Sequence, residues 1–181
     1  MRIVGGKYKG RRIDLPKGID ARPTTDFAKE GLFNILHHSV PLEGIRVLDL
    51  FSGTGNISLE FLSRGAENVL SVDQDRQLFS YQQELARKLE ITDWQMVKAD
   101  VFTFLNSHRS TYDIVFADPP FKLEGIERIP TLVREAGLLG EEGMLIVEHP
   151  NEVNMSNDPW FWKHRPYGTV NFSFFKPKAT P

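Results

Sequence analysis

Asp49-Leu50-Phe51-Ser52-Gly53-Thr54-Gly55-Asn56 follows the apolar run Arg46-Val47-Leu48 and leads into the helical stretch Asn56–Ser63. A short apolar strand that breaks at a glycine turn and resumes as a helix is how a βαβ unit begins. Downstream the alternation repeats: strand Val69–Asp73, helix Gln77–Leu89, strand Trp94–Lys98, a short helix Val101–Leu105, strand Tyr112–Ala117, helix Ile126–Leu139 and strand Met144–Glu148. Apolar strands separated by amphipathic helices predict an α/β fold with a mainly parallel sheet covered on both faces. Thr169–Phe175 alternates differently and reads as a terminal strand antiparallel to the rest, with Trp160, Phe161 and Trp162 packing the core beside it. Upstream, Arg2-Ile3-Val4, Gly5-Gly6 and the residues up to Ile13 and Leu15 read as a hairpin. Thr24 or Thr25 then caps a helix whose apolar positions are Phe27, Leu32, Phe33, Ile35 and Leu36.

The glycine turn is the first candidate site. Without β-carbons, Gly53 and Gly55 let the backbone pass close to a ligand. Asp73 ends the next strand, 18 residues after Gly55, where a carboxylate can accept hydrogen bonds from ribose hydroxyls. Two cofactor classes share this pattern, dinucleotides and S-adenosylmethionine. The dinucleotide fingerprint asks for a third glycine where this chain has Ser58. An acid before the turn, Asp49, suits the cationic amino-acid end of S-adenosylmethionine, which brings no pyrophosphate to the helix N-terminus. The candidate cofactor residues are Asp49, Phe51, Gly53, Gly55 and Asn56 in the turn, with Asp73 and Gln74 after the second strand.

The second candidate is Asp118-Pro119-Pro120-Phe121, directly after the strand ending at Ala117. Ligands of open α/β sheets bind at that carboxyl edge. Successive prolines fix two φ values near about −65° and remove two N–H donors, so the turn is rigid and rich in acceptors. An exocyclic amine on a purine is a poor nucleophile because its lone pair is delocalised into the ring. Asp118 and the Pro119 carbonyl can grip its two hydrogens and turn the lone pair toward a methyl donor, while Phe121 stacks on the base.

Charge points to the acceptor's class. The chain's net charge is −2, yet residues 1–12 hold Arg2, Lys7, Lys9, Arg11 and Arg12 and no acid. Such asymmetry suits a polyanion. No cysteine is present, which excludes disulfides and thiolate chemistry. His37-His38 reads as surface, and no metal site is expected. No apolar run approaches the about 20 residues that span a bilayer, and the polar start lacks a signal-peptide pattern, as expected of a cytoplasmic protein.

Met1-Arg2-Ile3-Val4-Gly5-Gly6-Lys7-Tyr8-Lys9-Gly10-Arg11, Arg22-Pro23-Thr24-Thr25-Asp26, Leu32–Leu36, Leu48–Glu60, Leu62–Ala66 and Tyr167-Gly168-Thr169 together resemble the RsmD family, over essentially the whole chain. The chain departs from the family's pattern at Phe121, usually tyrosine, and at Lys29, where an arginine is common; a lysine there is poorly suited to a bidentate phosphate contact. The resemblance implies a class I S-adenosylmethionine-dependent methyltransferase with a Rossmann-like sheet and one antiparallel strand near the C-terminus. It implies transfer to the N2 amine of a guanine in small-subunit ribosomal RNA, free or in the assembling subunit. It places Asp100 and Val101 at the adenine, and Lys7, Lys9, Arg11, Arg12 and Arg22 on the RNA. The expected organisation is one monomeric domain over 1–181, with a basic hairpin extension at 1–23 and a catalytic core at 24–181. Three alternatives stay in view: methylation of another nucleic acid or a protein side-chain amide, a binding module without activity, and a dinucleotide-dependent oxidoreductase.

Overall fold

A computed structural model describes residues 1–19 and 24–179. Five helices and seven strands follow in the order α1 (Asp26–Ser39), β1 (Arg46–Leu50), α2 (Asn56–Ser63), β2 (Asn68–Asp73), α3 (Arg76–Lys88), β3 (Trp94–Lys98), α4 (Val101–Ser107), β4 (Tyr112–Ala117), α5 (Ile129–Glu135), β5 (Leu139–His149), β6 (Phe161–Tyr167) and β7 (Val170–Phe175). The strands form one sheet ordered β3-β2-β1-β4-β5-β7-β6. β1 to β5 pair in parallel, and β7 is antiparallel to both of its neighbours. One reversed strand near the C-terminus of an otherwise parallel sheet is the class I methyltransferase arrangement. The strand order turns between β1 and β4, and the crevice beyond their carboxyl ends is where such a sheet receives ligands.

The helices start and stop for local reasons. Thr25 caps α1 by accepting the Ala28 N–H, Asp75 caps α3 through Gln77 and Leu78, and Asp100 caps α4 through Thr103. The helix expected over Ile126–Leu139 is shorter. Ile126–Arg128 forms a 3-10 turn, Pro130 sits in the first turn of α5, and Gly137 at φ 66° follows the helix end. Leu139 then belongs to β5. β6 was not expected as a strand. It is an edge strand with mostly exposed side chains and a proline at 166, so it carries no apolar alternation.

Two apolar layers sandwich the sheet. Phe33, Phe61, Phe116, Phe172 and Phe174 pack with α1 and α2 on one face, and Val115, Val133, Leu145 and Phe175 pack with α4 and α5 on the other. No helix is long and apolar enough to cross a membrane among the described residues.

Candidate active site

The glycine turn winds left-handed three times, at Phe51 (φ 59°), Gly53 (φ 56°) and Gly55 (φ 77°). Phe51 pays for its conformation with roughly 1 kcal/mol or more of strain; its ring meets Phe102 edge-on at 6.2 Å. The two glycines have different jobs. A β-carbon on Gly55 would lie 2.4 Å from the Trp94 ring, so this glycine lets α2 close on β3. A β-carbon on Gly53 would meet nothing nearer than 4.0 Å, so Gly53 borders open space. The Gly53 N–H donates to Asp73 Oδ2 at 2.8 Å, and Gln82 holds the loop from beneath through Ser52 and the Gly53 carbonyl. Asp73 is therefore a loop anchor at the edge of the cleft, with Gln74 exposed beside it. Asn56 is buried; its Oδ1 accepts from Lys29 and its Nδ2 donates to the Thr24 carbonyl. Its side chain is committed to the scaffold while it lines the cleft.

Ser58, which breaks the dinucleotide fingerprint, has a role of its own. Its hydroxyl donates to Asp49 Oδ2 at 2.5 Å and lies 2.6 Å from Ser71 Oγ, which accepts from Trp94 Nε1. This buried chain fixes the Asp49 carboxylate at the cleft floor. Asp49, 1% exposed, is pushed up to about 7, first by burial and then by Asp73 against the lowering effect of Ser58.

Two further acids stand close to it. Ala117 pairs with Val147 in register, so the next positions, Asp118 and Glu148, are neighbours across β4 and β5. Asp49 pairs with Phe116, which places all three acids on the α1–α2 face of the sheet. Glu148 is 3% exposed and accepts from Thr24 Oγ1 at 3.0 Å; burial pushes it up to about 7. Burial, then Glu148 and Asp49, hold Asp118 well above the usual carboxylate range. Sequence reading missed Glu148. The available signal was a lone charge ending the apolar run Met144–Val147 at the ligand-binding edge.

Carboxyls raised this way keep more protons in the folded chain than in the unfolded one between about pH 4 and 7, so their contribution to stability is lost as pH rises through about 7. His108 and His149, held below their usual range chiefly by burial, act in the opposite sense. The effect is isolated by comparing Tm for the parent and Glu148→Gln. The variant is expected to melt higher at about pH 8, with the gap closing toward about pH 5. A gap that widens at low pH would show that Glu148 is stabilised as an anion.

The acceptor turn stands at the rim. Asp118 lines the cleft, Pro119 is buried, Pro120 is exposed and Phe121 presents 44% of its surface. Among the described residues neither the Asp118 carboxylate nor the Pro119 carbonyl receives a protein donor, whereas the Pro120 carbonyl accepts from Leu123. On the far side of the turn, Asp100 Oδ1 is occupied by Thr103, Val101 is buried in the core, and Phe102 is half-buried against Phe51.

The N-terminal segment runs along α2, with Met1 against Thr54 of the glycine turn. Its arms form a short antiparallel hairpin, joined by backbone hydrogen bonds between Met1 and Ile13, from Ile3 N–H to the Arg11 carbonyl and from Gly10 N–H to the Ile3 carbonyl; the loop between them is built onto the end of α2. Val4 N–H donates to Glu60, Lys7 N–H to the Ser63 carbonyl and Tyr8 N–H to Ser63 Oγ. Lys7, Lys9, Arg11 and Arg12 stay exposed on this support, with Lys7 and Arg11 over the Tyr8 ring. Arg2 pairs with Asp26, and Arg22 lies outside the described residues. Lys29 is wholly buried and faces no solvent-borne phosphate. It pairs with Glu60 at 3.2 Å and donates to the Arg2 carbonyl and to Asn56, tying the segment to the cofactor-loop helix. His37 and His38 are exposed on α1.

The chain matches the family model described as Conserved hypothetical protein 95 over residues 1–176. It is 30% identical to the Escherichia coli protein named Ribosomal RNA small subunit methyltransferase D, covering 99% of this chain and 91% of the relative. YlbH of Bacillus subtilis is 31% identical over 99% of this chain and all of its own length. Among solved structures, yhhF of Escherichia coli superposes with a TM-score of 0.86 at 30% identity, covering 99% of each chain. A hypothetical protein of Thermus thermophilus superposes at 0.85 with 24% identity, over 98% of this chain and 99% of its own, which speaks to the fold alone. The chain belongs to the Conserved hypothetical protein 95 family, the RsmD family that its motifs resemble.

Proposed function

We propose that this chain transfers a methyl group from S-adenosylmethionine to the exocyclic N2 amine of a guanine in small-subunit ribosomal RNA. The observation that carries the reading is the pair of free acceptors, Asp118 and the Pro119 carbonyl, above a floor of buried acids and beside the exposed Phe121 ring. The name of the Escherichia coli relative supports the ribosomal substrate.

The floor also discriminates between cofactors. Among the described residues no cationic side chain pairs with Asp49, Asp118 or Glu148. A ligand with a sulfonium and an ammonium relieves their mutual repulsion, whereas a pyrophosphate adds to it. Gly53 leaves the space such a ligand needs, and Asp49, Asp73 and Asp100 supply acceptors for its ammonium, ribose and adenine ends. Bound there, S-adenosylmethionine supplies an electrophilic methyl group. Asp118 and the Pro119 carbonyl accept the amine's two N–H groups and orient its lone pair. Phe121 covers the base, which must leave its helix or already be unpaired to enter the cleft. Orientation supplies much of the acceleration because the methyl donor is already activated. After transfer the surplus amine proton passes to Asp118, beside Glu148. Residues 1–23 act as the RNA-gripping extension and 24–181 as the catalytic core.

Incubation with labelled S-adenosylmethionine and either naked small-subunit RNA or assembling subunits is expected to label the RNA, with N2-methylguanosine as the product on nucleoside digestion. Gly53→Arg is expected to abolish cofactor binding by calorimetry, and NAD is expected not to bind. Label in another nucleoside would move the acceptor. Label in protein would favour the side-chain amide alternative.

A further inference from the structure

β6 is the free edge of the sheet, and its α1 side forms a groove of about 520 Å³ that no part of the proposed reaction uses. One end lies at the catalytic edge. There Phe27, 67% exposed, meets Tyr167 edge-on at 5.7 Å, three residues after the Thr24 that holds Glu148. Along the strand follow Arg165, Lys163 and Trp162, a run of about 17 Å from Tyr167 at strand spacing. Just past the groove's far end, which Lys163 lines, the ammonium groups of Lys163 and Lys176 lie 3.9 and 3.6 Å from the centre of the Trp162 ring, which remains 41% exposed.

Three observations select the occupant. None of Lys163, Arg165 and Lys176 has an ion-pair partner among the described residues; Glu30 is the one acid among the described residues that line the groove, while Asp113, Glu141 and Glu142 line the adjoining hollow that Lys176 borders. Lys163 is held below its usual range by burial and then by Arg165 and Lys176, so the three cations sit close enough to repel one another. A proline at 166 and a register shift between Phe161 and Lys163 spoil the edge for an added peptide strand. Crowded, unneutralised cations interleaved with exposed rings suit a single nucleic-acid strand, with phosphates on the cations and bases on the rings.

We propose that the α1–β6 groove is a second RNA-contact surface that holds the single-stranded stretch flanking the target base. The inference rests on the RNA reading given above. It assigns Trp162 to ligand binding, where the sequence suggested core packing. It also gives the substrate a second grip, on β6, besides the one on the N-terminal segment.

The test uses a fluorescein-labelled single-stranded fragment of small-subunit ribosomal RNA, followed by anisotropy across a salt series. Lys163→Ala with Lys176→Ala is expected to weaken binding about ten-fold and to flatten the salt slope by about 1.4. Trp162→Ala is expected to weaken binding with the slope unchanged, and Trp162→Phe to restore most of it. In methylation assays the lysine variant and Trp162→Ala raise KM for RNA and leave kcat and cofactor affinity near the parent's, while Trp162→Phe stays close to the parent in all three. A parent that binds and methylates RNA while the lysine variant keeps its affinity and slope would overturn the groove and leave the RNA reading intact. A parent that neither binds nor methylates RNA would overturn both.

Discussion

Asp118→Ala is expected to lower kcat for methyl transfer by about a hundred-fold or more, with cofactor affinity essentially unchanged. Removing one preorganised acceptor of a developing charge costs on that order, and in the proposed reaction Asp118 also takes the proton that transfer releases. Asp118→Asn keeps one acceptor oxygen and should fall between the two. The carboxyl's raised value gives the sign of the pH dependence: protonated Asp118 grips the amine poorly, so activity falls as pH drops through its titration. The asparagine variant should lose that acid limb. Removing one of three mutually repelling acids should at the same time raise Tm of the ligand-free protein at neutral pH. Full activity in Asp118→Ala, with the acid limb retained, would place the amine elsewhere in the cleft.

Lys29→Met is expected to be the most destabilising single change outside the apolar core. Lys29 and Glu60 are both fully buried, and the substitution leaves Glu60 with Arg64 as its remaining cation. Stranding a buried carboxylate costs about 3–5 kcal/mol, at which a chain of this size loses about 10 °C of Tm. Adding Glu60→Gln should recover part of the loss, because the stranded charge goes while the amide oxygen keeps an acceptor for either Val4 or Arg64. The same substitution frees the Arg2 carbonyl and Asn56, so proteolysis near Arg11 and Arg12 should accelerate before global unfolding. A single variant melting within a degree or two of the parent would show that Lys29 merely fills space.

Sequence reading located the parts that are local. A glycine turn after an apolar strand and an Asp-Pro-Pro-Phe turn after another announce themselves within a few residues, and both stand at the same sheet edge. What escaped was set by partners distant in sequence. Glu148 takes its character from burial and from Thr24, 124 positions away. Lys29, weighed in the sequence only as a poor phosphate contact, is enclosed by Glu60 and Asn56. β6 hid because a strand with exposed side chains on an open edge need not alternate. Even that turn divided its labour unexpectedly. Gly53 faces the cleft while Gly55 accommodates Trp94, and Asn56 is spent on scaffolding.

The position of β7 matters to how the chain is made. It lies between β5 and β6, so the sheet is not built outward in the order of synthesis. Until Val170–Phe175 has emerged from the ribosome, β6 has no hydrogen-bonding neighbour and β5 presents an open, apolar edge. Nascent chains with unpaired edges are exposed to mispairing and aggregation for as long as the edge persists. Stalling during translation is therefore most hazardous after His149 and before Phe175, and a chain cut short anywhere in that interval lacks an interior strand rather than a dispensable tail.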